Sequence, residues 1–405
     1  MHKSKIFIPI LLSLVLVNSD AYSSVKALGM GDVQVAYPQE PTNAAVNPAI
    51  LSDLGNCWEI SALALNRDGT TTLKHNSIPG MNGKSNAFTF HTVPGGEGGF
   101  CIKLPYKLTA GVIAYGRDAA YKVKQNKIFP ALGTSKLGLE IIGAAIGPFV
   151  SWQITPCMSI GIGMPYSLHR YRLKGAQNIR PFSVEPNHVS NRHYQYYWTI
   201  GPTFGWLYHL TPQLTLGASY RYPSKFSKVH KFDGAIAGHG KLHLPSIYRV
   251  GFAYNFCRFN LAADFAYQDW RHIRGAHNSQ FSTAKPGSNK GFAYGINHIW
   301  TLAFGADWAY SEDLTLRTGY IYINGPTRRS QTGINSTFMA IVRNIVTVGA
   351  TWKLNHCSEL SIAWEHGFSQ KMRGKTLSYP PGFGGGRCDL RERRDILGLS
   401  FFRYF

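Results

Sequence analysis

A period of two runs through most of this chain. In residues 214–222 one row of side chains is Leu214, Leu216, Ala218, Tyr220 and Tyr222, and the other is Thr215, Gly217, Ser219 and Arg221. Residues 259–268 set Phe259, Leu261, Ala263, Phe265 and Tyr267 against Asn260, Ala262, Asp264, Ala266 and Gln268. Residues 300–310 and 360–368 repeat the pattern, with Trp300, Leu302, Phe304 and Trp308 in one and Leu360, Ile362, Trp364 and Phe368 in the other. Successive side chains of a strand point to opposite faces, so each segment is a strand with one apolar face and one small or polar face.

Short breaks and long polar stretches alternate between these strands. Tight turns fall at Thr155-Pro156, Thr211-Pro212, 255–258, 311–313 and 355–358, and loops rich in Gly, His, Lys and Arg at roughly 174–193, 229–242, 272–296, 325–341 and 374–390. The pattern is a meander of hairpins with short turns at one end and long loops at the other. It predicts fourteen strands, at 57–66, 85–93 (or on to 103), 109–117, 139–153, 158–173, 194–210, 213–228, 241–255, 258–271, 297–311, 314–324, 342–354, 358–373 and 391–405.

Two architectures hold such strands. A soluble sandwich or propeller turns the apolar row inward; a transmembrane barrel turns it to lipid and encloses the polar row. The Gly, Ser, Thr and Ala of the second row, Tyr and Trp near strand ends, and the short-turn, long-loop alternation favour an all-β transmembrane antiparallel barrel over residues 57–405. The amino terminus agrees with export. Lys3 and Lys5 precede an apolar run at 6–17, and Ser19-Asp20-Ala21 follows, as in a signal peptide cleaved near Ala21. The run is short for a membrane span, which needs about 20 residues. Residues 1–21 are therefore read as leader, and the outer membrane of a Gram-negative bacterium as the destination.

With 42 Lys and Arg against 21 Asp and Glu, the formal net charge is +21, yet only 16% of residues are charged and 44% are hydrophobic. That composition excludes a disordered chain. The excess of cations falls in loops (Arg180, Arg192, Lys225, Lys228, Lys231, Arg271, Arg274, Lys285, Lys290). There an anionic outer leaflet and its lipopolysaccharide would attract them. They form no nucleic-acid-binding motif. The 15 His show no metal-ligand spacing and the six Cys contain no CxxC, so neither a metal nor another cofactor is expected. No nucleophile–base signature points to a catalytic site.

Residues 22–56 do not alternate. They carry Gly29-Met30-Gly31, Pro38, Pro41 and Asn43-Ala44-Ala45-Val46-Asn47-Pro48-Ala49-Ile50-Leu51, a pattern of short helices and turns. A fourteen-strand lumen is too wide for its own side chains to fill, so this segment is the expected plug. Here the residues become familiar. The Gly-x-Gly stretch followed by Asn47-Pro48-Ala49 resembles the hatch of FadL-type outer-membrane transporters of long-chain fatty acids. Residues 214–225 with Leu244-Pro245, 261–270 and 314–322 resemble later strands of the same family, in order. The resemblance implies a fourteen-strand barrel plugged by an N-terminal hatch. It implies capture of hydrophobic ligand among extracellular loops, passive passage and lateral exit through the wall. Relatives of the fold import aromatic hydrocarbons, an alternative ligand class; a surface adhesin using the long loops is another reading. A monomer is expected.

Candidate residues follow from these readings. Asn47, Pro48 and Ala49 would form the hatch element that shifts with ligand, or a fixed turn. Arg170, Arg172 and Lys174, at the outer end of the fifth strand, could bind a ligand carboxylate, or could sit in solvent or on lipopolysaccharide phosphate. Arg249, Asp264, Arg317 and Glu365 point into the lumen by parity, to pair with one another and with the hatch. Cys157, Cys257 and Cys357 fall on every second short turn, four strands and so about 20 Å apart at about 4.8 Å per strand, too far to bond to one another. Cys57 and Cys101 could face each other across the first hairpin, and Cys388 has no evident partner.

Overall fold

The computed structural model describes residues 24–88, 92–118, 121–122, 138–337 and 339–405; the expected leader lies outside them. Among the described residues, fourteen wall strands close one antiparallel barrel. The first seven are β1 (Cys57–Lys74), β2 (Thr92–Leu104), β3 (Leu108–Asp118), β4 (Gly138–Thr155), β5 (Met158–Gly163 and Tyr166–Lys174), β6 (Gln195–Ile200 and Thr203–His209) and β7 (Leu214–Arg221). The others are β8 (Ser246–Phe256), β9 (Phe259–Asp269), β10 (His298–Ala309), β11 (Leu314–Ile323), β12 (Asn344–Asn355), β13 (Ser358–Met372) and β14 (Arg387–Tyr404). Closure is made by β14 on β1, in register from Cys57↔Tyr404 to Lys74↔Arg387. A closed wall leaves no unpaired edge, which is what a hydrocarbon environment requires.

The apolar rows face outward. Val250, Phe252 and Tyr254 of β8, Trp152 of β4, Phe304 of β10 and Leu397 and Leu399 of β14 are all exposed, while Ser151, Ala253, Ala303 and Ser400 on the alternate rows are buried. In water, each such large side chain would forgo about 1.5–3 kcal/mol of burial. Lipid removes that penalty, so the outward orientation is the stable one in a bilayer.

The first hairpin departs from the sequence expectation. β1 runs to Lys74 instead of ending near residue 66, and β2 starts at Thr92, after a short rung at Gly83–Asn86 that pairs with the top of β1. The outward row of upper β1 is Asn66, Asp68, Thr70 and Thr72. Without greasy side chains on that row, the strand continues but its alternating signature disappears.

On the opposite side of the wall, Pro148, Pro165, Pro202, Pro223 and Pro245 lie on or beside five neighbouring strands, β4 to β8. Met164 N–H donates to Pro148 O (3.0 Å), Gly201 N–H to Pro165 O (3.3 Å) and Tyr222 N–H to Pro202 O (2.9 Å). Pro148, Pro165 and Pro202 thus accept from the next strand but have no N–H to return, and β5 divides at Pro165 and β6 at Pro202.

Candidate functional site

The segment before β1 fills the lower lumen. Helix α1 (Val25–Gly29) is capped by the Ser24 hydroxyl, which accepts from Ala27 N–H at 3.2 Å. Short 3-10 turns follow at Pro41–Ala45 and Pro48–Asp53. Pro48 suits the first position of a helical turn because its missing N–H would be unpaired there anyway. Asn47 caps that turn by accepting from Ala49 N–H at 3.1 Å, and its amide donates to Val35 O at 2.6 Å and to Trp206 O of β6 at 3.0 Å. Asn47-Pro48-Ala49 is thus a capped turn fastened to the wall.

Much of this plug is tied through its own backbone. Asp264 Oδ2 accepts from Gln34 N–H (2.7 Å) and Val35 N–H (2.9 Å). Thr347 Oγ1 accepts from Gly31 N–H (2.8 Å), and Glu59 Oε1 from Thr42 N–H (2.7 Å). Side chains add two more links: Tyr37 OH donates to Asp307 Oδ2 at 2.7 Å, and Lys26 Nζ pairs with Glu359 at 2.6 Å. Burial, with the Asp307 carboxylate beside it, pushes the Tyr37 phenol well above its ordinary pKa, so it remains a donor. Backbone bonding of this kind needs close approach. Gly205 of β6 is one place that permits it: a Cβ there would collide with Asn47 Oδ1 and stand 2.8 Å from Ala49 N. Gly319 of β11 likewise receives Gly31, whose φ of +70° suits glycine.

The upper lumen differs from the watery, small-residue interior that alternation suggests. There the inward row turns apolar, with Ile299, Ile321, Ile323 and Ile345, and the long loops fold back onto it. Val229, Phe232 and Ile236 of the β7–β8 loop pack with Leu139, Tyr171 and Tyr197. Ile273 and Ile296 of the β9–β10 loop join the isoleucines, and Met339 and Ile341 of the β11–β12 loop pack with Phe88, Tyr379 and Leu390. Tyr294 packs against two of these clusters and Leu173 bridges to the third, so they form one apolar roof.

A charged belt separates plug from roof along β13, β14 and β1. On the inward row of β14, Gly398 meets Val25 and Leu28 of the plug, Leu390 belongs to the roof, and Arg394 lies between them. Arg394 pairs with Glu365 at 2.6 Å. Directly opposite it on β1, Arg67 pairs with Glu392, donates to Met339 O at 2.8 Å and lies over the Phe88 ring. Glu392 Oε2 accepts from Ile341 N–H at 2.8 Å. The belt therefore holds the β11–β12 loop. Arg394 is 1% exposed, and its Nε and Nη1 have no hydrogen-bond acceptor among the described residues. A guanidinium so placed calls for an oxygen acceptor, because leaving a buried donor unpaired is costly.

The residues singled out by sequence fall in three places. Asp264 meets the plug, and Arg249 is its charged neighbour. Arg317 stands opposite Asp307 and donates to Thr351 Oγ1 at 2.6 Å, whereas Glu365 serves the belt through Arg394. Arg170 and Arg172 face away from the lumen. They share parity with exposed Tyr166 and Leu168, pair with Glu140 at 3.0 and 2.6 Å, and lie over the Tyr194 ring; Lys174, on the same row, is exposed. A ligand inside the barrel meets none of the three. Their parity with Tyr166 and Leu168 is a signal the sequence already held. Arg67 lies beyond the expected end of β1 at residue 66, whereas Glu392 and Arg394 fall within the expected last strand, 391–405, where alternation does not set them apart.

Residues 23–379 match the family described as outer membrane protein transport protein (OMPP1/FadL/TodX). No curated protein matches the sequence. Among solved structures, the toluene transporter TodX of Pseudomonas putida superposes with a TM-score of 0.69 at 17% identity, over 95% of this chain and 99% of that one. A Pseudomonas aeruginosa FadL homologue gives 0.70 at 15%, over 94% and 98%. The Ralstonia pickettii toluene transporter TbuX gives 0.65 at 13%, over 95% and 99%. At these identities the structures speak for the fold, and the match over most of the sequence speaks for the family. The chain belongs to the OMPP1/FadL/TodX family: it is a fourteen-strand barrel of the Gram-negative outer membrane whose activity is transport of hydrophobic compounds rather than catalysis.

Proposed function

We propose that this protein takes up long-chain fatty acids, which enter through the apolar roof, present their carboxylate to Arg394, and leave sideways into the membrane past a movable N-terminal hatch, residues 22–56. The observation that carries this reading is the buried Arg394, with two guanidinium nitrogens lacking an acceptor among the described residues, set directly beneath the apolar roof. A carboxylate supplies oxygens in the geometry a guanidinium fork accepts. The roof offers the alkyl chain a dry environment, favourable by about 0.8 kcal/mol per buried methylene. That same term argues for lateral exit, since a water-filled route would return the chain to solvent.

An aromatic hydrocarbon is the second reading. It is supported by the ring-rich part of the roof, where His169, Tyr197 and Phe226 meet with centroids 4.7–5.2 Å apart, and by the toluene transporters among the similar structures. The two readings separate in one experiment. Uptake of labelled oleate and of labelled toluene is measured in a deletion strain carrying the wild type, Arg394→Leu, or Arg170→Gln/Arg172→Gln/Lys174→Gln. Fatty-acid import predicts oleate uptake by the wild type, at least a tenfold loss in Arg394→Leu, and no loss in the triple variant, whose side chains we place against outer-leaflet lipopolysaccharide. Toluene uptake without oleate uptake would replace the first reading with the second.

A further inference from the structure

We infer that Cys57 and Cys101 are joined by a disulfide in the protein as it stands in the outer membrane. Cys57 is the first residue of β1 and Cys101 lies near the end of β2, and the two are directly opposed in the β1–β2 ladder. Both are fully buried, and their sulfurs are 3.3 Å apart. Opposed residues of an antiparallel pair have Cα atoms about 4.5–5.5 Å apart, inside the span of about 4.4–6.8 Å that a disulfide bridges. Side-chain rotation alone turns the contact into a bond. Exchange with the other cysteines is precluded by position. Cys388, at the far end of β14, is in register with Leu73, sixteen rungs from the Cys57↔Tyr404 pair. Cys157, Cys257 and Cys357 occupy separate short turns.

The compartment and the chemistry agree. An outer-membrane barrel passes through the oxidising periplasm, where disulfides form and persist. Each thiol loses one proton and one electron, and the sulfur–sulfur bond forms. The two electrons reduce the disulfide of a periplasmic thiol oxidoreductase to its dithiol, by way of a mixed disulfide with one of the two cysteines. Since both sulfurs are buried in the finished barrel, exchange takes place before the hairpin closes over them. The bond sits where the wall has something to secure. Cys101 Sγ also contacts Gly55 O at 3.3 Å, at the point where the plug joins the wall. The described pairing of this hairpin runs from Cys57↔Cys101 to Asn66↔Thr92 and again from Thr70↔Asn86 to Leu73↔Gly83. The bond fastens its base.

Protein is isolated from outer membranes without reductant, denatured in iodoacetamide, digested and weighed. The expected result is one linked species containing Cys57 and Cys101 that separates on reduction, while Cys101→Ser yields alkylated Cys57. Recovery of both residues alkylated from the wild type, or of either one linked to a different cysteine, would overturn the inference. In cells lacking the periplasmic oxidoreductase, the wild type is expected to lose the linked species and to unfold in heated detergent gels at the lower temperature of the Cys57→Ser/Cys101→Ser variant. An unchanged linked species there would remove the proposed route of oxidation. Uptake of ligand is a separate measurement and decides neither result.

Discussion

The plug and the roof close the same lumen by different means. The plug is made largely of small residues, with its backbone N–H groups directed at Asp264, Thr347 and Glu59 and its turns set against wall glycines. The roof consists of bulky side chains from several loops that pack in apolar clusters; hydrogen bonds such as Asn335 Nδ2 to Tyr294 O (2.7 Å) and Gln280 Nε2 to Ser378 O (2.8 Å) link the loops to one another, and the charged belt fastens one of them. Directional bonds fix one position and are lost together when the segment moves. Apolar contacts tolerate rearrangement, since volume and not orientation governs their energy. The difference suits a conduit in which the outer closure adapts to a greasy guest and the inner one opens or stays shut.

The strongest way to break the comparison is to deny the plug its close approach. Gly205→Leu puts a side chain where Asn47 Oδ1 and Ala49 N now sit. Overpacking of this kind costs typically 1–3 kcal/mol, and here the plug can relieve it by leaving the wall. The expected outcome is a folded barrel, judged by its heat-modifiable mobility in gels, with raised conductance in planar bilayers. A bulky substitution at Phe232 in the roof is expected to leave conductance near the wild-type level. Equal leakage from both would show that the two closures are not mechanically distinct.

Asn47→Ala sharpens the same point with a smaller effect. It removes the turn cap and both amide bonds, to Val35 O and Trp206 O. Losing such bonds costs on the order of 1–2 kcal/mol, which shifts a closed-to-open ratio by roughly 5–30-fold. Brief openings in single-channel records are expected to become more frequent by that factor. An unchanged opening frequency would make Asn47 a fixed turn residue and nothing more.

How much of this was legible beforehand follows from the same contrast. The wall was readable wherever lipid faced the strand, because lipid demands an apolar outward row; β9 to β13 lie within a few residues of their expected bounds. The segment before the wall stands apart in the sequence because it does not alternate; its small residues and proline-led turn fit the close approach to wall glycines. The roof was not readable. Phe232, Ile273 and Met339 are isolated apolar residues in polar loops, and no period marks which of them fold inward. The charged belt is hidden for another reason: Arg67 lies beyond the greasy stretch of its strand, and the alternation that puts Glu392 and Arg394 on the inward row of the last strand does not say which partners meet them.

The mildest test concerns a pH-sensitive fastening of the roof outside the wall strands. His243, in the small ribbon that pairs Ser224–Lys225 with His243–Leu244, accepts from Phe226 N–H through Nδ1 at 3.2 Å. Only the neutral imidazole offers that lone pair. Burial, and then the nearby charges of Lys241 and Lys225, lower its pKa below the usual 6.5, against an opposing bond with Leu242. A folded-state value below the unfolded one means that the stabilisation is complete above about 6.5 and is lost as the pH falls through the lowered value. Protection of the Phe226 amide from hydrogen exchange, corrected for the intrinsic rate, is therefore expected to be constant above neutrality and to fall several-fold in mildly acid buffer. His243→Asn keeps an acceptor that does not titrate and should flatten that profile, while a plug-wall amide on a non-titrating acceptor, Gly31 on Thr347 Oγ1, should show no matching change. A parallel loss of protection at Gly31 would mean that the two closures open as one.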